Sequence, residues 1–302
     1  MRLEYIPARY EAFRTESPDL SLCRVSSREK GLYRLLGADG TCQARVSGKF
    51  QYDAKSASDY PAVGDYVLAD LNSVDVAIIR RVLPRTSVFL RKAAGVAVSE
   101  QVVAANIDAV FLCMSLNSDF NLRRLERYLT IAWDSGATPV VLLTKSDLCN
   151  DIAAKIAETE SVATGVNIVA TSVMEEGGAR IAPYLSEGKT LAFVGSSGVG
   201  KSTLINALLG EDRLKTNGLR NDGKGRHTTT RRELFVLPCG ATVIDTPGMR
   251  ELGVWDAGEG LSAGFADIEA LTGKCRFRDC AHRTEPGCAA MSLTLGERCG
   301  IL

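Results

Sequence analysis

The chain has no long apolar run, only two histidines and no excess of either charge, with 36 basic and 36 acidic side chains in 302 residues. Each shortage excludes something. Runs such as 109–114 and 139–143 fall well short of the roughly 20 apolar residues that span a bilayer. The amino end carries Arg2, Glu4 and Arg9 where a secretory signal needs an apolar core, so a cytoplasmic protein with no membrane partner is expected. Two histidines leave His227 and His282 as the only places for imidazole chemistry. Net neutrality argues neither for nor against nucleic acid, but the charge is unevenly spread. Residues 24–92 hold 12 basic against 7 acidic side chains, and 213–232 hold 7 against 1, so cationic surface is concentrated in two places.

What the chain does have is glycine where phosphate chemistry needs it. Gly195-Ser196-Ser197-Gly198-Val199-Gly200-Lys201-Ser202 lies between an apolar run, 190–194, and a helix-like run, 203–209. Backbone N–H groups of such a loop point inward at phosphate oxygens. Lys201 can reach the β and γ oxygens, Ser202 can offer its hydroxyl to Mg2+, and Thr203 follows at the start of the helix. The loop suits a nucleoside triphosphate.

Residues 32–36, 42–47, 65–70 and 76–82 read as short strands between glycine, proline and asparagine turns, spaced as in a five-stranded barrel of the oligonucleotide-binding kind. Arg45, Lys49, Lys55, Arg80, Arg81 and Arg85 would decorate it; a solvated basic face on an unrelated β-module accounts for the same residues. Residues 1–25 show no assignable role beyond a short helix near 8–13, and 83–100 reads as a linker after Pro84. From about residue 104, strand-like and helical runs alternate at 109–115, 122–134, 138–143, 151–164, 166–170, 181–185 and 190–194. Such alternation predicts an α/β parallel sheet with helices on both faces and ligand loops at the strands' carboxyl ends. A stretch rich in Gly, Asn, Lys and Arg, 212–230, is expected to be mobile, and strands 234–237 and 241–244 follow it. Three domains are expected: 1–90, 91–255 and 256–302.

Thr144-Lys145-Ser146-Asp147, after strand 138–143, resembles the base-reading Asn-Lys-x-Asp of GTPases. Asp147 would accept hydrogen bonds from the guanine N1–H and 2-amino group, which adenine lacks, while the Lys145 stem packs on the ring. Thr144 in place of asparagine loses an amide that usually ties the loops together. Thr171-Ser172, at the next strand's end, would be the supporting loop near the base. In Asp245-Thr246-Pro247-Gly248, Asp245 can hold the water shell of Mg2+ and the Gly248 N–H can bond the γ-phosphate. Gly225-Arg226-His227-Thr228-Thr229-Thr230 supplies a switch threonine; the pattern does not separate Thr228, Thr229 and Thr230, and Thr229 is favoured. Met249 cannot orient an attacking water, which leaves His227 as the candidate. Cys275-x4-Cys280-x-His282-x5-Cys288 places four soft ligands within 14 residues, the set for one structural Zn2+; free or disulfide-linked cysteines are the alternative, which a reducing cytoplasm disfavours. The base-reading loops precede the phosphate loop. Joining the old chain ends between Leu185 and Thr190 gives the ordinary sheet, so the domain reads as circularly permuted.

This ordered set resembles the RsgA (YjeQ) family of bacterial GTPases that act on the small ribosomal subunit. The likeness extends to Tyr60-Pro61-Ala62-Val63-Gly64-Asp65 and covers roughly residues 30–290. It implies an N-terminal OB-fold β-barrel, a circularly permuted P-loop GTPase and a small C-terminal zinc-binding domain. It further implies a monomer that binds GTP or GDP with Mg2+, one structural Zn2+, and the small ribosomal subunit with its rRNA. Slow intrinsic hydrolysis stimulated by that subunit, a role in its late maturation and release on hydrolysis belong to the same expectation. The chain departs from the family at Thr144, and it stops 14 residues after Cys288, where relatives usually continue into a basic helical tail. The rival account is a GTP-gated RNA- or protein-binding module acting on a non-ribosomal partner, for which Met249 speaks.

Overall fold

Five short strands at the amino end close on themselves. The computed structural model describes residues 3, 5–29, 31–72, 76–92, 100–117, 119–176, 178–214 and 232–245, all within one unit, Met1–Gly253. In it β1 (Ser21–Glu29), β2 (Leu32–Gly37), β3 (Gly40–Val46), β4 (Tyr66–Asp70) and β5 (Ala77–Val82) lie in the order β1-β2-β3-β5-β4, and β4 returns to pair with β1. Only β3 and β5 are parallel. The first strand of this β-barrel is the one the sequence pattern does not show. Cys23 and Val25 pack inside with Tyr33, Leu35, Val67 and Ile79, while Leu22 packs with Tyr10, Tyr66, Leu68 and Leu83. Arg24 and Ser26 are equally buried, so β1 has no polar face and no readable alternation. A register shift between Val25 and Ser27 bends the strand from one neighbour to the other. Helix α1 (Glu11–Glu16) precedes the barrel, and α2 (Gly48–Asp53) interrupts it. The Ser47 hydroxyl starts α2 by accepting the Phe50 N–H at 3.0 Å, an N-cap that holds a six-residue helix.

Within 83–100, expected as a linker, residues 88–92 instead form β6 (Val88–Lys92), which pairs antiparallel with β7 (Glu100–Ala105). The Ser87 hydroxyl closes the base of the pair, donating to the Ile107 carbonyl at 2.7 Å and accepting the Ile107 N–H at 2.6 Å. The expected boundary between residues 90 and 91 falls inside β6. Then follow β8 (Ala109–Ser115), α3 (Leu122–Asp134), β9 (Thr138–Thr144), α4 (Ile152–Glu160), β10 (Asn167–Thr171), α5 (Val173–Glu176), β11 (Thr190–Val194), α6 (Lys201–Leu209), β12 (Glu233–Val236) and β13 (Thr242–Asp245). A 3-10 turn, Ala179–Tyr184, containing Pro183, stands where a helix was expected at 181–185. Strand order is β10-β9-β8-β11-β13-β12, parallel except for β12. Both faces are covered, as a parallel sheet requires. Val110 and Leu112 of β8 pack with Val141, Leu125 and Leu129 on one side; Phe111 and Cys113 pack with Leu142, Phe193 and Ile205 on the other. Ser27 of β1 pairs with Glu233 of β12, so barrel and parallel sheet form one ladder of eleven strands.

The turn Tyr60 to Asp65 seats the barrel. Gly64 has φ +93, and a Cβ there would lie 2.2 Å from the Ala105 carbonyl oxygen, so only glycine permits this approach. Asp65 is fully buried and takes both prongs of Arg85, from Nε at 2.8 Å and Nη2 at 2.7 Å. Arg85 also donates to the carbonyls of Ser58 and Tyr60. It was expected among the surface cations, but it is committed to this bidentate pair. Arg45, Lys49, Lys55, Arg80 and Arg81 are exposed. No helix among the described residues is long and apolar enough to cross a membrane.

Candidate functional site

The carboxyl ends of β10, β9, β8 and β11 stand in a row. Thr171 pairs with Thr144, Thr144 with Ser115, and Leu112 with Val194, so four loops leave the sheet on one side, where open α/β sheets place their ligands.

The loop after β11 is pressed onto its neighbour. A Cβ at Gly195 would lie 2.4 Å from the Cys113 carbonyl oxygen, so the chain can pass β8 only as glycine. Gly200, at φ +99, caps α6 with no side-chain bond, which leaves the helix's first N–H groups pointing into the loop. Lys201 Nζ donates to the carbonyls of Gly195 and Ser196, both at 2.6 Å. The two bonds hold the ammonium against the carbonyls of its own loop. Ser202 and Thr203 occupy the first turn of α6. The Cys113 thiol beneath the loop is pushed up to about 12 by burial and is no nucleophile.

Thr144, 2% exposed, ends β9 and donates from Oγ1 to the Val199 carbonyl at 2.6 Å. Threonine lacks the amide expected at this position, but its hydroxyl makes a tie of its own. A hydroxyl at the end of a strand reaches the loop after β11, 55 residues away. Lys145 adopts a left-handed conformation, φ 58 and ψ 42, uncommon for a residue with a side chain. It turns the chain into the 3-10 turn Ser146–Leu148, which presents Asp147 to solvent. One strand over, Thr171 and Ser172 are both 0% exposed, and neither hydroxyl has a partner among the described residues. Two orphaned buried hydroxyls at one strand end are unusual and point to a missing ligand or water.

A further group was missed in the sequence. Ser196 donates its hydroxyl to Asp119, in the loop between β8 and α3. Asp119 is paired in turn with Arg124 Nη2 at 2.9 Å. Asn117 Oδ1 shapes this loop by accepting the Ser115 hydroxyl and the Asp119 N–H, and Asn121 caps α3. The available signal was the run of Asn and Asp at the carboxyl end of β8. Asp245 ends β13, whose Ile244 pairs with Ala192 of β11, so it stands one strand from the loop. Gly248, the segment with His227, Thr228, Thr229 and Thr230, and the cluster Cys275, Cys280, His282 and Cys288 lie outside the described residues.

A sequence model of the family described as RsgA GTPase matches residues 82–255. The chain belongs to the RsgA GTPase family. It is 51% identical over 270 residues to the small ribosomal subunit biogenesis GTPase RsgA 2 of Lactiplantibacillus plantarum, covering 89% of this chain and 76% of that one. To the small ribosomal subunit biogenesis GTPase RsgA of Methanosarcina acetivorans it is 46% identical over 271 residues, covering 89% and 72%. Among solved structures it is similar to YjeQ from Thermotoga maritima, with a TM-score of 0.64 at 27% identity over 92% of each chain. It is also similar to YloQ, described as a circularly permuted GTPase, at 0.60 and 25% identity over 92% and 89%. Like other RsgA GTPases the chain is a GTP-hydrolysing enzyme with a permuted core behind an N-terminal β-barrel. The expected consequence of the Thr144 bond is that Thr144→Val weakens GDP binding by about fivefold, the worth of one hydrogen bond of roughly 1 kcal/mol. Titration with a fluorescent GDP analogue measures it, with Thr144→Ser restoring affinity; equal affinity for all three proteins contradicts it.

Proposed function

We propose that this enzyme hydrolyses GTP on the small ribosomal subunit, assists the subunit's late maturation and leaves it on hydrolysis. The observation that carries the nucleotide half is the Thr144 to Val199 bond. It holds the guanine-reading loop against the phosphate loop, with the unpartnered hydroxyls of Thr171 and Ser172 alongside. The glycine cradle and the poised Lys201 fit a triphosphate, and the orphaned hydroxyls fit a polar base edge. The names of the relatives from L. plantarum and M. acetivorans support the ribosomal half.

In this mechanism the Asp147 carboxylate accepts from guanine N1–H and the 2-amino group, and the Lys145 stem covers the ring. Backbone N–H groups from Gly195, Ser196, Ser197, Gly198, Val199 and Gly200 and the Lys201 ammonium bind the phosphates. Ser202 and Asp245 would hold Mg2+, with Thr203 on the phosphates; that ion supplies neutralisation of charge on the transferred phosphoryl oxygens. Thr229 and the Gly248 N–H meet the γ-phosphate. His227 orients the attacking water, because Met249 carries no group able to do so. The exposed Arg45, Lys49 and Lys55 of the barrel suit rRNA phosphates. The barrel is taken as residues 1–90, the GTPase as 91–255, and a domain of 256–302 as holding one structural Zn2+ through Cys275, Cys280, His282 and Cys288. The protein acts as a cytoplasmic monomer.

Two measurements check this reading. GTP turnover followed with small subunits, large subunits and no ribosome is expected to rise at least about tenfold with small subunits alone, and His227→Ala is expected to lose most of that rise. Equal turnover in all three conditions contradicts the ribosomal role. Elemental analysis is expected to find about one zinc per chain, and much less in Cys280→Ala; a metal-free, folded wild-type protein contradicts the zinc site.

A further inference from the structure

Arg24 is a buried charge whose hydrogen-bond partners among the described residues include no carboxylate. It sits in mid-strand in β1, 2% exposed, with its guanidinium 4.8 Å from the centre of the Tyr66 ring. Nε donates to the Gly64 carbonyl at 3.2 Å, and Nη1 to Thr242 Oγ1 at 3.1 Å. Nη2 donates to Thr190 Oγ1 at 2.6 Å and to the Asn106 carbonyl at 3.4 Å. Burial pulls its pKa below the usual arginine value, opposed by Tyr66, Asp108, Tyr10 and Asp65. A guanidinium keeps its proton even so. A buried cation held by neutral oxygens is expensive, and a well-packed apolar residue would often serve stability as well. Its position is more informative than its cost.

Thr190 is the first residue of β11 and Thr242 the first of β13. The two pair in the ladder, and their hydroxyls lie 3.0 Å apart. β11 runs straight into Gly195 and the phosphate loop; β13 ends at Asp245. One planar fork from the barrel therefore grips the amino ends of two of the strands whose carboxyl ends carry nucleotide-site residues. Each strand is only four or five residues long, on the order of 15 Å, and extended backbone paired on both sides is stiff along its length. The guanidinium is flat and fixed by Tyr66 on one face, so it cannot follow one threonine without moving relative to the other.

We propose that Arg24 is a positioning residue that couples the barrel to the phosphate loop, so that nucleotide binding stiffens β1 and a ligand on the barrel alters nucleotide affinity. The proposal rests on reading Gly195 to Ser202 as the nucleotide site and does not depend on the ribosomal partner. Coupling of this kind between sites typically amounts to about 5- to 150-fold, and it is reciprocal. A purely structural Arg24 would instead affect β1 equally with and without nucleotide.

Hydrogen exchange on the full chain, with and without Mg2+ and GDP, separates the two. In the wild type, GDP is expected to slow exchange across residues 195–203 and, by about fivefold or more, across β1. In Thr190→Val/Thr242→Val, which removes the two hydroxyl acceptors and leaves Arg24 in place, the slowing at 195–203 stays and that at β1 disappears. Thr190→Ser/Thr242→Ser restores the slowing at β1, and Arg24→Met, where it folds, behaves as the valine pair does. If GDP protects 195–203 but leaves β1 unchanged in the wild type, or still protects β1 in the valine pair, the coupling through Arg24 is wrong. If GDP fails to protect 195–203 at all, the nucleotide-site reading falls and takes this proposal with it.

Discussion

The parallel ladder in which β8 is paired on both flanks, to β9 and to β11, is the constraint on which the rest depends. Parallel pairing puts the carboxyl ends of neighbouring strands level, so the loops after β9 and β11, proposed to read the base and to bind the phosphates, leave the same edge of the sheet. Chain order does not enter. Strand pairing is set by register and burial, and the same sheet forms whether the phosphate loop comes first or, as here, after the base-reading loops. The old ends meet in a short turn. Gly188 donates to the Gly240 carbonyl at 3.2 Å, and Lys189 to the Ser186 carbonyl at 3.1 Å, which leaves few unpaired backbone groups where the permutation was closed.

Two guanidinium groups among the described residues, the half-buried Arg85 and the buried Arg24, hold the barrel by different physics. Arg85 faces a fully buried Asp65 in a fork-on-fork pair, where removing either partner would leave a lone charge, the costly case for a buried ion pair. It fixes the turn that seats the barrel. Among the described residues Arg24 donates to carbonyls and hydroxyls and lies over a ring, with the Asp65 and Asp108 carboxylates acting on it without a hydrogen bond. Its energy is spread over four chain segments, and it joins the barrel to the feet of the two strands that lead to the nucleotide site. Together they make the barrel and the GTPase core behave as one folded unit and not as two modules on a tether.

Much of the core was legible because physics writes it locally. β8, β9 and β11 are buried on both faces and so read as unbroken apolar runs, and the glycines at 195, 198 and 200 announce their loop. β1 was not legible because its outer face is covered by the rest of the unit and carries Arg24 and Ser26, so the period-2 signal is erased. The hairpin of β6 and β7 was hidden by Pro84 and the polar residues after it, which read as a break although they form a closed and partly buried turn. Long-range contacts leave no local trace. The bond from Thr144 to Val199 spans 55 residues and that from Ser196 to Asp119 spans 77. The first supplies a tie between loops that the missing asparagine amide would not have suggested.

The central claim is that a base bound by the β9 loop and phosphates bound by the β11 loop belong to one guanine nucleotide. The most direct measurement is the affinity of Asp147→Asn for GDP and for the xanthine analogue. Xanthine carries a carbonyl where guanine carries the 2-amino group, so a carboxamide that donates fits it and no longer fits guanine. The account predicts that this variant loses at least about tenfold in GDP affinity and gains a similar factor for the xanthine nucleotide. Unchanged affinity for GDP in Asp147→Asn, with no gain for xanthine, would contradict it.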